Sequence, residues 1–209
     1  MIRVLVADDH PVVRRGLKQI LLEASDISVD EAASAAEALA LVGKKTFDVA
    51  VLDLKLGDAS GLEVLASLHQ DKPRLPVIIL SMHPEDQYAV RAIRAGAMGF
   101  LNKEAAPDRL LDAVRHAAAG KRYLTPKVAE ELAAQVATDA PELPHTLLSN
   151  RELEILELIG SGKTVGEIAR KLHRSVKTIS THRTRLLAKM KMKTNAELTH
   201  YAVTHGLLP

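Results

Sequence analysis

Short apolar runs and stretches with helical periodicity alternate through the first 120 residues. IRVLVAD (2–8), ISVDEA (27–32), FDVAVLD (47–53), PVIILSM (76–82) and AMGFLNK (97–103) are each the length of a strand. Between them the apolar spacing predicts helices at Val12–Glu23, from the capping pattern Ser34-Ala35-Ala36-Glu37, and from a second at Ser60-Gly61-Leu62-Glu63. Two more run from Glu85 to Arg94, before Gly96, and from Pro107 to Ala119, before Gly120. Five β-α units predict a doubly wound, five-stranded parallel α/β sheet with helices on both faces.

The alternation then stops. Thr125-Pro126 offers a capping hydroxyl and a first-turn proline, so LTPKVAEELAAQVA reads as one helix ending near Thr138. DAPELPHT reads as an exposed connection, which makes 121–146 a linker carrying one helix. From residue 147 onward the periodicity is helical. Ser149-Asn150-Arg151-Glu152 opens a helix burying Leu153, Ile155, Leu156, Leu158 and Ile159, and Gly160-Ser161-Gly162 ends it. A short helix follows from Val165 to His173, then a longer one from Val176 to Met190 behind the cap Ser175. Thr194-Asn195-Ala196-Glu197 starts a final helix that runs to His205. The second domain, 147–209, is therefore an all-α, four-helix unit in which a short helix, a tight turn and a longer helix form a helix-turn-helix.

Charge separates the two domains. Residues 1–124 carry 16 Lys/Arg against 17 Asp/Glu, residues 125–146 carry one against four, and residues 147–209 carry 11 against 5. A basic final third behind a neutral first half points to nucleic acid for the tail. With no cysteine, disulfides and thiolate metal sites are excluded. The apolar start is too short for a signal-peptide core, and no run approaches the ~20 residues of a membrane span, so a cytoplasmic protein with no membrane partner is expected.

Strand ends in a parallel sheet line up along one edge, where ligand chemistry sits. That edge collects Asp8 and Asp9 from the first strand, Asp53 from the third, Ser81 from the fourth and Lys103 from the fifth. Alone, Asp53 reads equally well as a capped strand-end carboxylate. Together the set is chemically complementary. Carboxylates brought within ~4 Å repel by about 4 kcal/mol per pair at an effective dielectric near 20. Such a cluster asks for a divalent cation, and oxygen ligands suit Mg²⁺. A carboxylate beside Mg²⁺ can accept a phosphoryl group, with Lys103 and Ser81 holding the transferred oxygens.

Asp8-Asp9, Asp53, Ser81, Phe100 and Lys103 resemble, in order and spacing, the signature of response-regulator receiver domains, whose sheet is flavodoxin-like. The resemblance covers residues 1–120. It implies that Asp53 is phosphorylated by a sensor histidine kinase, and that Mg²⁺ is held by Asp9, by Asp8 largely through water, by Asp53 and by the Lys55 backbone carbonyl. It also implies a switch in which Ser81 and Lys103 grip the phosphoryl group and Phe100 turns inward. A phosphoryl group adds about −1.5 to −2 charge, enough to bias two states. Phe100 stands where many receivers have Tyr, so packing alone would report that switch.

Gly160-Ser161-Gly162-Lys163-Thr164 imitates the end of a phosphate-binding P-loop, but Glu157 occupies the required glycine position and a helix precedes it where a strand is needed. Within the longer helix, Ile179, Leu186, Leu187 and Met190 form the buried stripe, and Lys177, Thr178, Ser180, Thr181, Arg183, Thr184, Arg185 and Lys189 populate the outward surface. At ~1.5 Å per residue this helix is roughly 24 Å long, suited to a major groove.

S-x-R-E-x-E-I-L, E-I-A-x-x-L and S-x-K-T-I-x-x-H resemble the LuxR-type DNA-binding domain, with Thr164-Val165-Gly166 departing from the family's usual Ser-Asn-Lys. The whole chain is thus similar to a NarL/FixJ-type response regulator. That resemblance implies base contacts from Ser180, Thr181 and Thr184, phosphate contacts from Lys177, Thr178, Arg183, Arg185 and Lys189, and a dimer contact through the last helix. His182 and His200 are expected to pack or to meet backbone.

The expected function is control of transcription: phosphorylation of Asp53 promotes homodimerisation and binding to double-stranded promoter DNA, without turnover of a diffusing substrate. A Mg²⁺-dependent phosphatase is the enzymatic alternative, disfavoured because no Asp-x-Asp follows the first strand. A DNA-binding protein controlled by a ligand or partner, independently of phosphate, is the third.

Overall fold

The computed structural model describes residues 1–57, 59–82, 85–104, 106–137 and 143–208. The chain forms two compact units, 1–139 and 140–209.

The first unit is built on a five-stranded parallel sheet. Its strands are β1 (Ile2–Ala7), β2 (Ile27–Ala32), β3 (Val49–Asp53), β6 (Val77–Ser81) and β7 (Gly99–Asn102), in the order β2-β1-β3-β6-β7. Two-residue strands β4 (Lys55–Leu56) and β5 (Ala59–Ser60) make a separate antiparallel pair just after β3. The helices are α1 (Pro11–Leu22), α2 (Ala35–Lys44), α3 (Gly61–Asp71), α4 (Glu85–Arg94), α5 (Ala106–Ala118) and α6 (Pro126–Ala137). Alternate strand residues Val4, Val6, Val49, Val51, Ile78, Leu80 and Leu101 pack against Leu17 and Leu21 of α1 and Leu110, Ala113, Val114 and Ala117 of α5. Leu5, Ala50, Leu52, Ile79 and Phe100 are equally buried and, by the two-residue period, face the other side. The register pairs Ala7 with Leu52, Asp53 with Leu80, and Ser81 with Asn102, so the strand ends share one edge.

The first unit continues past residue 120, where the sequence predicts its boundary. Tyr123 donates its N–H to Met98 O at 2.8 Å and bridges to Gly99, extending the sheet edge by one residue. Helix α6, expected within the linker, packs against α4 and buries Val128 to 2% exposure. Its predicted end near Thr138 and the first half of the predicted connection, 139–142, lie outside the described residues.

The second unit contains α7 (Asn150–Gly160), α8 (Val165–Lys171), α9 (Val176–Met190) and α10 (Asn195–Thr204). Leu153, Ile155, Leu156, Ile168, Ile179, Leu186 and Leu198 form its core, each at most 1% exposed. Caps set each helix start. Ser149 and Glu152 form a reciprocal capping box at α7, Thr164 and Glu167 another at α8, and Ser175 accepts from Thr178 N at α9. The GSGKT segment is a helix stop followed by a helix start. Gly162 takes φ +80°, Lys163 N donates to Leu158 O, and Thr164 caps α8. The end of the segment expected as an exposed connection is instead a 3-10 turn, Pro144–Leu147, held to α10 by a 2.8 Å hydrogen bond between His145 Nδ1 and the Tyr201 hydroxyl.

Candidate phosphoryl and nucleic-acid sites

Three strand ends put charge in one place. Lys103 follows β7, and its Nζ donates to Asp8 Oδ2 and to Asp53 Oδ2, both at 2.7 Å. All three side chains are buried, at 7%, 1% and 5% exposure. Asp8 Oδ1 accepts from His10 N, and Asp53 Oδ1 accepts from Lys55 N at 3.1 Å. Lys55 therefore brings its amide to Asp53 from the start of β4. Arg14 donates to the Asp8 carbonyl at 2.7 Å and fixes the end of β1 from the first turn of α1. Ser81 is buried at the end of β6, where its carbonyl accepts from Lys103 N.

One ammonium stands against three clustered carboxylates, Asp8, Asp9 and Asp53. Burial pushes the Asp53 carboxyl above the ordinary range, only partly offset by the Lys103 hydrogen bond, while Asp8 adds like charge. Burial works to lower the Lys103 pKa, but its hydrogen bonds to Asp53 and Asp8 outweigh that and hold it above the usual lysine value. Among the described residues, Asp9 Oδ1 is buried without a hydrogen-bond partner, although His10 Nδ1 lies 2.8 Å away. Single ligand atoms of Asp8, Asp9, His10 and Asp53 all fall within 4.8 Å of one another, a group that could hold a metal ion. An orphaned carboxylate oxygen beside two buried carboxylates fits a cation at this edge.

The structure brings Asp8, Asp9, Asp53, Lys55 and Lys103 together, with Ser81 on the adjacent strand end. Phe100 is buried at 2% exposure, on the face opposite Leu101. The sequence reading missed three contributors. His10 lies directly beside Asp9; Arg14 supports Asp8. Gly61 opens α3 so close to the acceptor strand that a Cβ there would meet the Asp53 carbonyl at 2.2 Å. The signal for Gly61 was a glycine directly after a capping serine, at a position any helix former could fill.

In the second unit α9 lies across α7 and α8, with Ile179, Leu186 and Met190 buried and Leu187 half-buried. The opposite side carries Lys177, Thr178, Ser180, Thr181, Thr184, Arg185 and Lys189, all exposed. Several of these side chains are held locally. Thr181 donates to Lys177 O and Thr184 to Ser180 O, both at 3.0 Å, and Thr178 meets Ser175 at the cap. Two of the expected phosphate contacts reach neighbouring helices. Lys189 Nζ donates to Glu152 Oε2 of α7 at 2.7 Å, and Arg183 Nε donates to Asn195 Oδ1 of α10 at 2.6 Å. His182 is half-buried, and burial together with the Arg151 charge lowers its pKa. His200, expected to pack or to meet backbone, is exposed.

A family model described as response regulator receiver domain matches residues 4–115, and one described as bacterial regulatory proteins, luxR family, matches residues 146–202. The response regulator UvrY of Escherichia coli K12 is 34% identical over 209 residues, spanning 99% of this chain and 96% of its own. Among solved structures, RcsB of Salmonella enterica serovar Typhimurium, bound to promoter rprA in the presence of phosphomimetic BeF3-, is similar at a TM-score of 0.62 and 26% identity, covering 96% of this chain and 98% of that one. A structure of two RcsB dimers bound to two parallel DNAs has a TM-score of 0.60 at 27% identity, covering 97% and 98%.

Proposed function

Since the chain belongs to the response regulators that join a receiver domain to a LuxR-type DNA-binding domain, we propose that Asp53 accepts a phosphoryl group from a sensor histidine kinase and that this controls dimerisation and binding to promoter DNA. The chain is a transcription regulator acting where the DNA lies, in the cytoplasm. The observation carrying the site assignment is the shared Lys103 ammonium, 2.7 Å from both Asp8 and Asp53, beside the orphaned Asp9 Oδ1.

Asp8, Asp9 and Asp53, with the Lys55 carbonyl, would hold Mg²⁺. Bound there, it would supply positive charge against the incoming phosphoryl oxygens. A carboxylate oxygen of Asp53 attacks phosphorus in line as the imidazole nitrogen of the donor leaves. Lys103 then has a phosphoryl oxygen to pair with as well as Asp8, and the Ser81 hydroxyl is one strand end away. Moving these two groups toward the new charge biases the edge formed by β6, β7 and α4, and packing around buried Phe100 reports the change.

On α9, Ser180, Thr181 and Thr184 would meet base edges, while Lys177, Thr178, Arg185, Arg183 and Lys189 would lie along phosphates. Short uncharged residues discriminate less than a bidentate arginine, so DNA shape and paired half-sites supply much of the specificity. The promoter-bound RcsB structure with a phosphomimetic supports this reading. The chain works as a switch and turns over no diffusing substrate; hydrolysis of a small phosphoester by the full chain would argue for the phosphatase instead.

The test uses a duplex enriched by the protein from a random-sequence library, bound with and without a small-molecule phosphodonor and Mg²⁺. Phosphodonor should tighten binding of the wild type and leave Asp53→Asn unchanged. Tight binding indifferent to phosphodonor in both would remove Asp53 as the control point.

A further inference from the structure

Arg183 occupies an unusual place on α9. At 100° per residue it lies roughly 130° from the centre of the exposed face made by Lys177, Thr181 and Thr184, and it is half-buried beside the start of α10. From that flank a side chain cannot point at base edges beneath the helix. It can reach sideways to a phosphate at the groove wall. Its Nε–H is already committed to Asn195 Oδ1, the first residue of α10, in a short 2.6 Å hydrogen bond.

We propose that Asn195 is a positioning residue for DNA binding: it fixes the Arg183 guanidinium in advance, with both terminal NH₂ groups available to fork a backbone phosphate. This rests on the reading of α9 as the DNA-contacting helix. A guanidinium has five N–H donors, and the Asn195 bond uses one, leaving four in the plane that suits bidentate phosphate contact. An arginine free at every torsion surrenders its rotamer freedom when it is held. Anchoring at Nε removes much of that loss before DNA arrives. The Lys189–Glu152 pair on the opposite flank is a different case. Glu152 is a 3% exposed carboxylate that already balances the lysine's charge, whereas Asn195 is neutral and leaves the full positive charge of Arg183 for the DNA.

The test is a salt series on the full-length chain with a short mixed-sequence duplex, since a phosphate contact does not depend on sequence. Arg183→Ala should weaken binding and flatten the log–log salt slope by about 0.9. Asn195→Ala should weaken binding roughly twofold to tenfold, with the slope nearly unchanged because the arginine still reaches its phosphate. Asn195→Asp keeps the acceptor oxygen but adds a carboxylate that balances the Arg183 charge, so it should bind more weakly than the wild type and flatten the slope, as loss of the arginine does. The double variant Arg183→Ala/Asn195→Ala should bind no more weakly than Arg183→Ala alone, a non-additivity that general damage to α10 would not produce. Wild-type affinity in Asn195→Ala, or additive losses in the double variant, overturns the proposal. If Arg183→Ala keeps affinity and slope while Lys177→Ala flattens the slope, this assignment falls and the DNA role of α9 stands. If neither changes the slope, the reading of α9 itself falls.

Discussion

At the scale of single residues, the sheet edge is held in a costly electrostatic state. Asp53 is ionised only against burial and against Asp8, with one shared lysine to offset both. A carboxyl whose pKa is raised by folding is easier to keep neutral in the native state. Its ionisation therefore destabilises the fold at neutral pH, and the penalty disappears as pH falls below the unfolded value. Asp53→Asn should thus unfold at higher urea than the wild type at pH 7 without divalent cation. The gap should narrow toward pH 4, and Mg²⁺ should narrow it at pH 7 by stabilising the wild type more than the variant; equal midpoints at pH 7 in chelator would show that Lys103 fully compensates the cluster. Gly61 belongs to the same scale. A methyl group there must displace the Asp53 backbone, because the obstructing atom is a carbonyl oxygen at 2.2 Å and not the end of a pliable side chain. Gly61→Ala should cost about 1–3 kcal/mol in urea unfolding, as overpacking does, and should slow phosphorylation by a small-molecule donor. An alanine variant with wild-type stability and rate would mean that α3 can retreat freely.

At the scale of elements, the sequence was most legible where one signal suffices. Each of the five β-α units announces itself by an apolar run followed by helical spacing, and their order leaves the strand ends on one edge. The capping serines at 60, 149 and 175 mark helix starts because a hydroxyl has few other reasons to stand there. Partners are harder to read than faces. The periodicity of α6 shows an apolar side without saying that α4 covers it, and Arg183 and Lys189 look like any outward cations until Asn195 and Glu152 are placed beside them. The buried state of Phe100 is a matter of rotamer and packing, which spacing does not record.

The α7 cap carries a prediction of its own. Glu152 accepts from Ser149 N, the Ser149 hydroxyl and Lys189 Nζ, and together these bonds outweigh its burial and hold its pKa below the usual glutamate range. A depressed carboxyl contributes stability that is complete above its unfolded value and is lost as pH falls through its folded one. Amide exchange in α7 should therefore accelerate on the acid side in the wild type, beyond the change intrinsic to the chemistry. Glu152→Gln should show faster exchange at pH 7 and less of the acid-dependent acceleration. Ser149→Ala should cost about 1 kcal/mol at every pH where the second unit is folded.

At the scale of the whole molecule, the two units divide the charge: residues 1–124 are near balance and hold the Asp8–Asp53–Lys103 cluster, while residues 147–209 carry 11 Lys/Arg against 5 Asp/Glu and hold the helix-turn-helix. On the proposed reading, a lone unit of this kind would make few base-specific contacts from Ser180, Thr181 and Thr184, and its affinity for one half-site would be modest. Joining two such units turns the second half-site contact into an intramolecular event, with a gain set by effective concentration and no new contact required. If phosphorylation acts by promoting that pairing, its effect on DNA binding must depend on protein concentration. Far below the self-association midpoint of the unphosphorylated chain, phosphodonor should tighten binding to a paired-site duplex about tenfold or more, equivalent to roughly 1.4 kcal/mol. Above that midpoint, measured independently by sedimentation, the chain is paired already, and the stimulation should shrink to within about twofold. A single half-site duplex should show little stimulation at any concentration. Stimulation that persists unchanged across the concentration series, or appears equally on a single half-site, would place the switch inside one protomer: phosphorylation would then be freeing the α9 surface itself, and pairing would follow from DNA binding and not precede it.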